Sequence, residues 1–594
     1  MPQHTFTIGE TDFLLDGNEF RILSGALHYF RIHPDQWRDR IHLGKAMGLN
    51  TIETYVPWNL HELRPGRLDF TGGLDLERFL DLIAAEDLHA IVRPGPYICA
   101  ELDGGGLPAW LFDDTTIRLR SSDPRFLASF DPYLHAVLDR MVDRQIDRGG
   151  PVILLQVENE FGAYGDDPTY LQALTDRFRR AGITVPLTTV DQPTPQMLRD
   201  GTLPELLTTG SFGSRATERL RTLRQAQPTG PLMCSEFWCG WFDHWGAHHH
   251  TTDAAQSAAE LDDLLSAGAS VNIYMLHGGT NFGLTSGAND KGTYQPTVTS
   301  YDYDAPLDEA GRPTEKFWRF REVIGRHAAL PPLPHGLPTD PAAPRQPFRT
   351  PEPVPLSPVR SLDSALAEVP FTAVDELPTR DALGIHRGLL RYRITLDGDD
   401  RPAVLRLSEV RDRAWLRLDG IPVGTLARED HESALWLPRS RGVLDILVED
   451  CGRLNYGPRL GEPKGLIGPA QLHRGPEVRE LTDWQVGEVP LERIVEATPD
   501  GAAGGPGAWI HRAEIPLDRP TDLALLTDGL GKGLAWWNGF PLGRYWRKGP
   551  QTTLFVPAPV TCAGTNELTL LELEVLTTEQ VRFAPDLRLG PTEE

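Results

Sequence analysis

Two glutamates with one amide between them, Glu158-Asn159-Glu160, follow directly on the apolar run 152–155, with Gly149-Gly150-Pro151 breaking whatever precedes it. A further acid, Glu236, arrives in the same way at the end of 231–238, Pro-Leu-Met-Cys-Ser-Glu-Phe-Trp. A carboxylate placed after a short apolar run sits at the carboxyl end of a strand, which is where α/β barrels and open α/β sheets keep their chemistry. Two carboxylates brought to one mouth from separate strands can divide a task that neither performs alone. One protonates a leaving oxygen while the other attacks the carbon or activates water, the chemistry of glycosidic bond cleavage. The plainer reading of Glu158 or Glu160 is a cap on the next helix.

Such positioning needs a scaffold, and the pattern supplies one. Eight short apolar runs, 22–30, 51–58, 89–97, 152–160, 185–191, 207–212, 232–238 and 271–277, alternate with amphipathic stretches at 35–47, 74–86, 124–147, 168–180, 215–227 and 253–267. Eight βα units over about 300 residues predict an α/β fold of the (β/α)8 TIM-barrel type, spanning 1–330, with the acids on strands four and seven. On a regular strand Asn159 and Glu160 would point to opposite faces, so the strand is expected to end or bulge there. Ahead of the barrel, 5–15 and 19–23 alternate around Asp16-Gly17, a hairpin turn pair, and should plug the lower end.

Prolines crowd 328–358, which reads as a semi-rigid linker over 331–360 and includes Pro338, Pro341 and Pro344. Short alternating runs at 389–396, 403–407, 414–418 and 443–448 then predict a β-sandwich over 361–485, and 486–594 repeats the pattern as a second all-β, jelly-roll unit. Residues 360–383 are candidates to pair into that last unit. Trp536 and Trp537 are read as packing rather than sugar-binding residues.

A formal net charge of −25 over 594 residues argues against nucleic acid and anionic membrane as partners and leaves a neutral substrate as the natural inference. The 14 Trp are compatible with sugar stacking, although core packing explains any single one. No stretch approaches the ~18 apolar residues of a membrane span, and the first residues carry neither a basic nor an apolar leader pattern, so a cytoplasmic setting is expected. The five Cys are odd in number and without CxxC spacing, which reads as reduced thiols. Cys234, Cys239, His244 and His248-His249-His250 lie within 17 residues and invite a zinc reading. Their spacing matches no closed site, and the histidines precede the Thr-Thr-Asp opening of a helix, so a solvated cap is expected there, with no metal and no cofactor. A homo-oligomer is permitted but not required.

The segments Thr-Tyr-Val-Pro-Trp-Asn (54–59), Arg-Pro-Gly-Pro-Tyr-Ile-Cys-Ala-Glu (93–101), 156–162, Ser-Glu-Phe-Trp (235–238), Gly-Gly-Thr-Asn-Phe (278–282) and Thr-Ser-Tyr-Asp-Tyr (299–303) resemble, in this order, the β-galactosidases of glycoside hydrolase family 35. The resemblance is dense over 1–330 and loose beyond, where the last unit resembles the jelly-roll modules of these enzymes. It implies a retaining exo-β-galactosidase acting on galactoside oligosaccharides or glycoconjugates, with Glu160 as general acid/base and Glu236 as nucleophile. By the same matching, Tyr55, Ala100, Glu101, Asn159 and Tyr303 grip the galactose and Tyr274 lies near the nucleophile. Glu158 is expected to bond backbone or Arg93, Arg93 to form a structural ion pair, and Cys99 to be a small buried hydrophobe. Two other readings use the same residues: a related exo-glycosidase such as an exo-β-glucosaminidase, with a changed pocket around Glu101 and Asn159, and a non-catalytic carbohydrate-binding protein, which would not need both acids.

Overall fold

The computed structural model describes residues 3–337, 345–501, 504–505 and 507–592. Eight parallel strands, Leu23–Leu27, Thr51–Tyr55, His89–Arg93, Val152–Gln156, Leu187–Asp191, Leu207–Ser211, Met233–Trp238 and Ser270–His277, pair in sequence order and close into a barrel. The strands are short and β-branched or apolar because both faces are covered; every residue of Val152–Gln156 is buried. The expected TIM barrel is therefore present, with Glu158 and Glu160 directly after its fourth strand and Glu236 on its seventh.

Helices Trp37–Met47, Leu76–Ala85, Pro124–Val142, Pro168–Arg180, Ala216–Ala226 and Ala254–Ser266 form the outer ring. Several open on a local signal: the Asp123, Asp167 and Asp253 carboxylates accept from backbone N–H groups of the first turn, and Pro124 and Pro168 occupy its first position. Pro195–Asp200 and Glu315–His327 are helices the periodicity did not single out.

Strands Phe6–Ile8, Phe13–Leu15 and Asn18–Phe20 make a small antiparallel sheet turned at Asp16 and Gly17, both at positive φ as a tight hairpin requires. Phe6 and Phe13 are buried against the barrel, and the Phe20 ring lies 5.3 Å from His89, which opens the third barrel strand. The sheet thus closes the end opposite the acids.

Beyond the barrel, Pro338, Pro341 and Pro344 lie outside the described residues. The stretch read as linker ends in strand: Val354–Pro355 pairs with Gln580–Val581, and Ser357–Ser361 with Trp509–Leu517 in a five-stranded sheet. Thr372–Val374 goes elsewhere, pairing with Trp484–Glu488 in a six-stranded sheet, and the division expected between 485 and 486 falls inside that strand. The six-stranded sheet packs Tyr392, Ile446, Leu416 and Trp484 against Leu405 and Leu472 of a four-stranded sheet. Trp537 lies fully buried in the core of the last unit, and Trp536 is buried where the two units meet.

Both all-β regions brace the loops at the barrel mouth. Tyr97 Oη donates to the Asn455 carbonyl at 2.6 Å and the Arg453 N–H to Asp103 at 2.7 Å. From the last unit, the Arg544 carbonyl accepts from Thr299 Oγ1 at 2.7 Å and Gln551 Oε1 accepts from the Ser300 N–H at 2.9 Å.

Candidate active site

The fourth barrel strand stops at Gln156, and the chain then turns through positive φ at Glu158 (59°) and Glu160 (46°). Left-handed backbone at these residues breaks the strand alternation, which is how neighbours Asn159 and Glu160 come to line one pocket. The strand end anticipated from the sequence is there. Glu158 stays behind the pocket wall: Arg120 grips it in a fork at 2.8 and 2.9 Å, Tyr170 Oη donates at 3.0 Å, and the Asn159 N–H donates at 2.6 Å. Of the two partners the sequence suggested, backbone is present in the Asn159 N–H, while the guanidinium is that of Arg120 and not Arg93.

Glu236 is delivered by an irregularity of its own. The seventh strand shifts register against both neighbours between Cys234 and the residues that follow, and such a bulge re-aims a side chain toward the mouth. Its Oε1 accepts from Tyr55 Oη and Arg93 Nη2, each at 2.6 Å, and its Oε2 from Trp238 Nε1 at 3.1 Å. Three donors and no acceptor form the setting of an ionised carboxylate.

Glu160 sits in a different environment. Burial, reinforced by the negative charge of Glu236, pushes its carboxyl up to about 7, against a hydrogen bond from Ser211 Oγ at 2.8 Å. Two carboxyls in one cavity, one met by three donors and one kept protonated toward neutrality, are the arrangement acid/base chemistry needs.

The remaining residues come from three further strands and the loops that follow them. Tyr55 closes the second strand. Arg93 closes the third, where it reaches Glu53 at 3.4 Å as well as Glu236 and Asn159 Oδ1. After it, Cys99, Ala100 and Glu101 all adopt positive φ, turning this segment into the pocket; Arg31 holds the turn through the Ala100 carbonyl. Burial also pushes Glu101 up to about 7, opposed by a hydrogen bond from Tyr301. Tyr274 lies on the eighth strand with its ring 5.4 Å from that of Tyr303. Asn159 Oδ1 accepts from Tyr55, Arg93 and Gln156, so what its amide still offers is donation from Nδ2.

All eight residues singled out from sequence, Tyr55, Ala100, Glu101, Asn159, Glu160, Glu236, Tyr274 and Tyr303, line this one cavity of about 180 Å³. That is smaller than the ~300–1,000 Å³ of drug-sized sites and suits a single ring. The profile described as "Glycosyl hydrolases family 35" matches residues 12–327. The chain belongs to glycoside hydrolase family 35. Profiles described as "Beta-galactosidase, first all-beta domain" and "Beta-galactosidase, galactose-binding domain" match 378–492 and 509–566. Similar proteins include β-galactosidases of Xanthomonas manihotis (40% identical, covering 93% of this chain and 91% of the relative) and Mus musculus (41%, covering 96% and 92%). The Homo sapiens β-galactosidase is 40% identical, covering 95% of this chain and 86% of the relative.

Several pocket residues of this family-35 chain were not anticipated. Arg93, read as a structural pair, bonds Glu236 itself; its place at a strand end, like those of the acids, was the available signal. Cys99 lines the pocket, with its thiol pushed up by burial beside Glu101. Gln192, Trp241 and Tyr456 are among the other residues of the wall, and Tyr456 comes from the all-β region with no local motif to mark it. Trp58, by contrast, packs against Tyr133 and Phe130 below the mouth. The Cys234 and Cys239 thiols donate to the Phe212 and Met275 carbonyls, and His244 bonds Asn289. His249 is buried on Asp243 at 2.7 Å and is not a solvated cap; Asp253 caps the helix. Among the described residues no three His, Cys, Asp or Glu side chains are grouped to hold a metal.

Proposed function

We propose that this chain is a retaining exo-β-galactosidase, releasing terminal β-D-galactosyl residues from the non-reducing end of oligosaccharides or glycoconjugates. The observation that carries this reading is the contrast between Glu160 and Glu236 within one small cavity. Glu160 gives its proton to the glycosidic oxygen as the bond to the anomeric carbon breaks, and Glu236 forms a bond to that carbon from the opposite face. Glu160, now a carboxylate, takes a proton from water, whose oxygen displaces Glu236 and restores both groups. Asn159 Nδ2 is the donor for the sugar 2-hydroxyl, and Glu101 accepts from ring hydroxyls. Galactose as the sugar is supported by the β-galactosidases that resemble this chain along nearly its whole length. A pocket rather than an open groove supports action at chain ends. The five cysteines, none in a disulfide, support a cytoplasmic setting, which fractionation of the source cell would test.

The deciding experiment is hydrolysis of chromogenic galactoside, glucoside, glucosaminide and fucoside by the wild type and by Glu236→Gln, with the released anomer followed by NMR. Galactoside turnover giving the β-anomer first, and lost in the variant, is the expected result. A preference for the glucosaminide would overturn the substrate, and the α-anomer appearing first would overturn retention.

A further inference from the structure

A cavity outside the barrel mouth lies between the two all-β regions and measures about 730 Å³, within the range of ~300–1,000 Å³ that ligand sites occupy and at the kind of domain boundary they favour. One wall follows from strand alternation. In Leu389–Asp397, Arg413–Leu418 and Arg441–Glu449 every second residue enters the sandwich core, which sends Arg391, Arg393, Trp415, Arg417, Asp445 and Leu447 to the other face. Pairing aligns them in two rows, Arg391–Leu447–Trp415–Thr425 and Arg393–Asp445–Arg417–Pro422. The opposite wall brings Trp509, His511 and Glu574 from the last unit and Asp363 from the segment before the sandwich.

Three properties of this wall specify a ligand. Five arginines and five carboxylates line it, so its formal charge cancels and it selects neither anion nor cation. Six of the ten charges are locked in pairs, Arg393 with Asp445 at 2.6 Å, Arg413 with Glu574 at 2.9 Å and Arg417 with Asp363, presenting rigid donors beside rigid acceptors as vicinal hydroxyls require. Trp415 supplies an aromatic surface, while its Nε1, the Trp509 Nε1 and the His511 Nδ1 are buried without a partner in the protein.

We propose that the cleft between the all-β regions is a second, non-catalytic site that binds a neutral oligosaccharide, stacked on Trp415 and hydrogen-bonded by the Arg393–Asp445–Arg417 row. It goes beyond the hydrolytic reading, since no residue of the Glu160 pocket takes part. A polymeric or clustered substrate held there raises the local concentration of chain ends at the barrel mouth.

The test is calorimetric titration of the full-length Glu236→Gln protein, which does not turn over, with β-1,4-galactotetraose and with cellotetraose. Binding of either sugar that weakens at least ten-fold on adding Trp415→Ala supports the site. Arg417→Gln, a half-buried position, guards against a misfolded Trp415→Ala and should weaken the same binding. Both substitutions placed in the wild type should leave turnover of a small chromogenic galactoside within two-fold, which separates this site from the catalytic one. Titrations in which neither substitution changes the binding of either sugar, or in which neither sugar binds, overturn the proposal.

Discussion

Arg93 Nη2 lies 2.6 Å from Glu236 Oε1, and the same guanidinium is the cation nearest Glu53, so one arginine neutralises two buried carboxylates in the barrel mouth. Removing it would strand both. Arg93→Met should cost about 3–5 kcal/mol of stability, the usual penalty for orphaning a buried charge. The loss of a donor aimed at Glu236, the nucleophile of the proposed mechanism, should lower kcat/KM by roughly 10²–10³. Arg93→Lys keeps the charge but not the fork, and should recover stability more than activity. Thermal melts and steady-state rates on a chromogenic galactoside check this, and activity that survives Arg93→Met would show that the pairing is merely structural.

In the proposed mechanism Glu160 must carry its proton to begin a catalytic cycle, and its carboxyl is pushed up to about 7. kcat/KM should therefore fall as pH rises through about 7. The Ser211 hydrogen bond favours the ionised form, so Ser211→Ala should raise that value and carry the alkaline limb to higher pH. A pH–rate profile of the variant reads the direction, and a downward shift would contradict the assigned role.

Stability carries a second pH signature. Burial raises Glu53, Glu101 and Glu160 to about 7 and Glu309 to about 8 in the folded chain. The native state therefore holds protons that the unfolded chain has released, and each group costs stability once it must ionise. His61, His89 and His511 are lowered to about 4, which produces the opposite slope, but only below the ordinary histidine value of about 6.5. From about pH 6.5 to 8 the carboxyls act without that opposition, so the melting temperature should fall with rising pH. Glu309→Gln, which does not line the Glu160 pocket and is held by Thr280, should flatten the slope. Melting curves across this window, with and without the substitution, decide the matter.

Tyr456 reaches the pocket from outside the barrel, and burial beside Glu160 pushes its phenol up to about 12. It is positioned to shape the wall rather than to exchange protons. Tyr456→Ala should raise KM for a disaccharide by roughly ten-fold with kcat little changed, as loss of a binding contact does. An effect confined to kcat would place Tyr456 in the chemistry instead.

The barrel was legible because each of its strands is a short apolar run bounded by turn residues, and parallel strands covered on both faces have no other way to read. The acids were legible for the same reason: Glu160 and Glu236 stand where such runs stop. Arg93 stands at an equivalent point, yet its type suggested an ion pair, and nothing local told that its partner would be Glu236. Glu158 shows the converse, since Arg120, which grips it, lies on a loop between strands three and four whose path no periodicity describes. Tyr456 and the Asn455 carbonyl lie more than a hundred residues past the barrel, and only long-range packing brings them back. The strand Ser357–Ser361 was hidden by Pro358 and the prolines ahead of it, and an edge strand tolerates Pro358 because its outer N–H groups go unpaired.

The cavity around Glu160 and Glu236 is walled by strand ends on a barrel whose far end is sealed by the Phe6 and Phe13 sheet. Traffic through it runs in both directions along one path. A freed monosaccharide has to back out before the shortened chain can enter, so the enzyme cannot slide along a polymer between cuts. Trimming is then distributive: many chains lose one unit each before any loses several, and accumulating galactose competes with every new chain end for the same doorway.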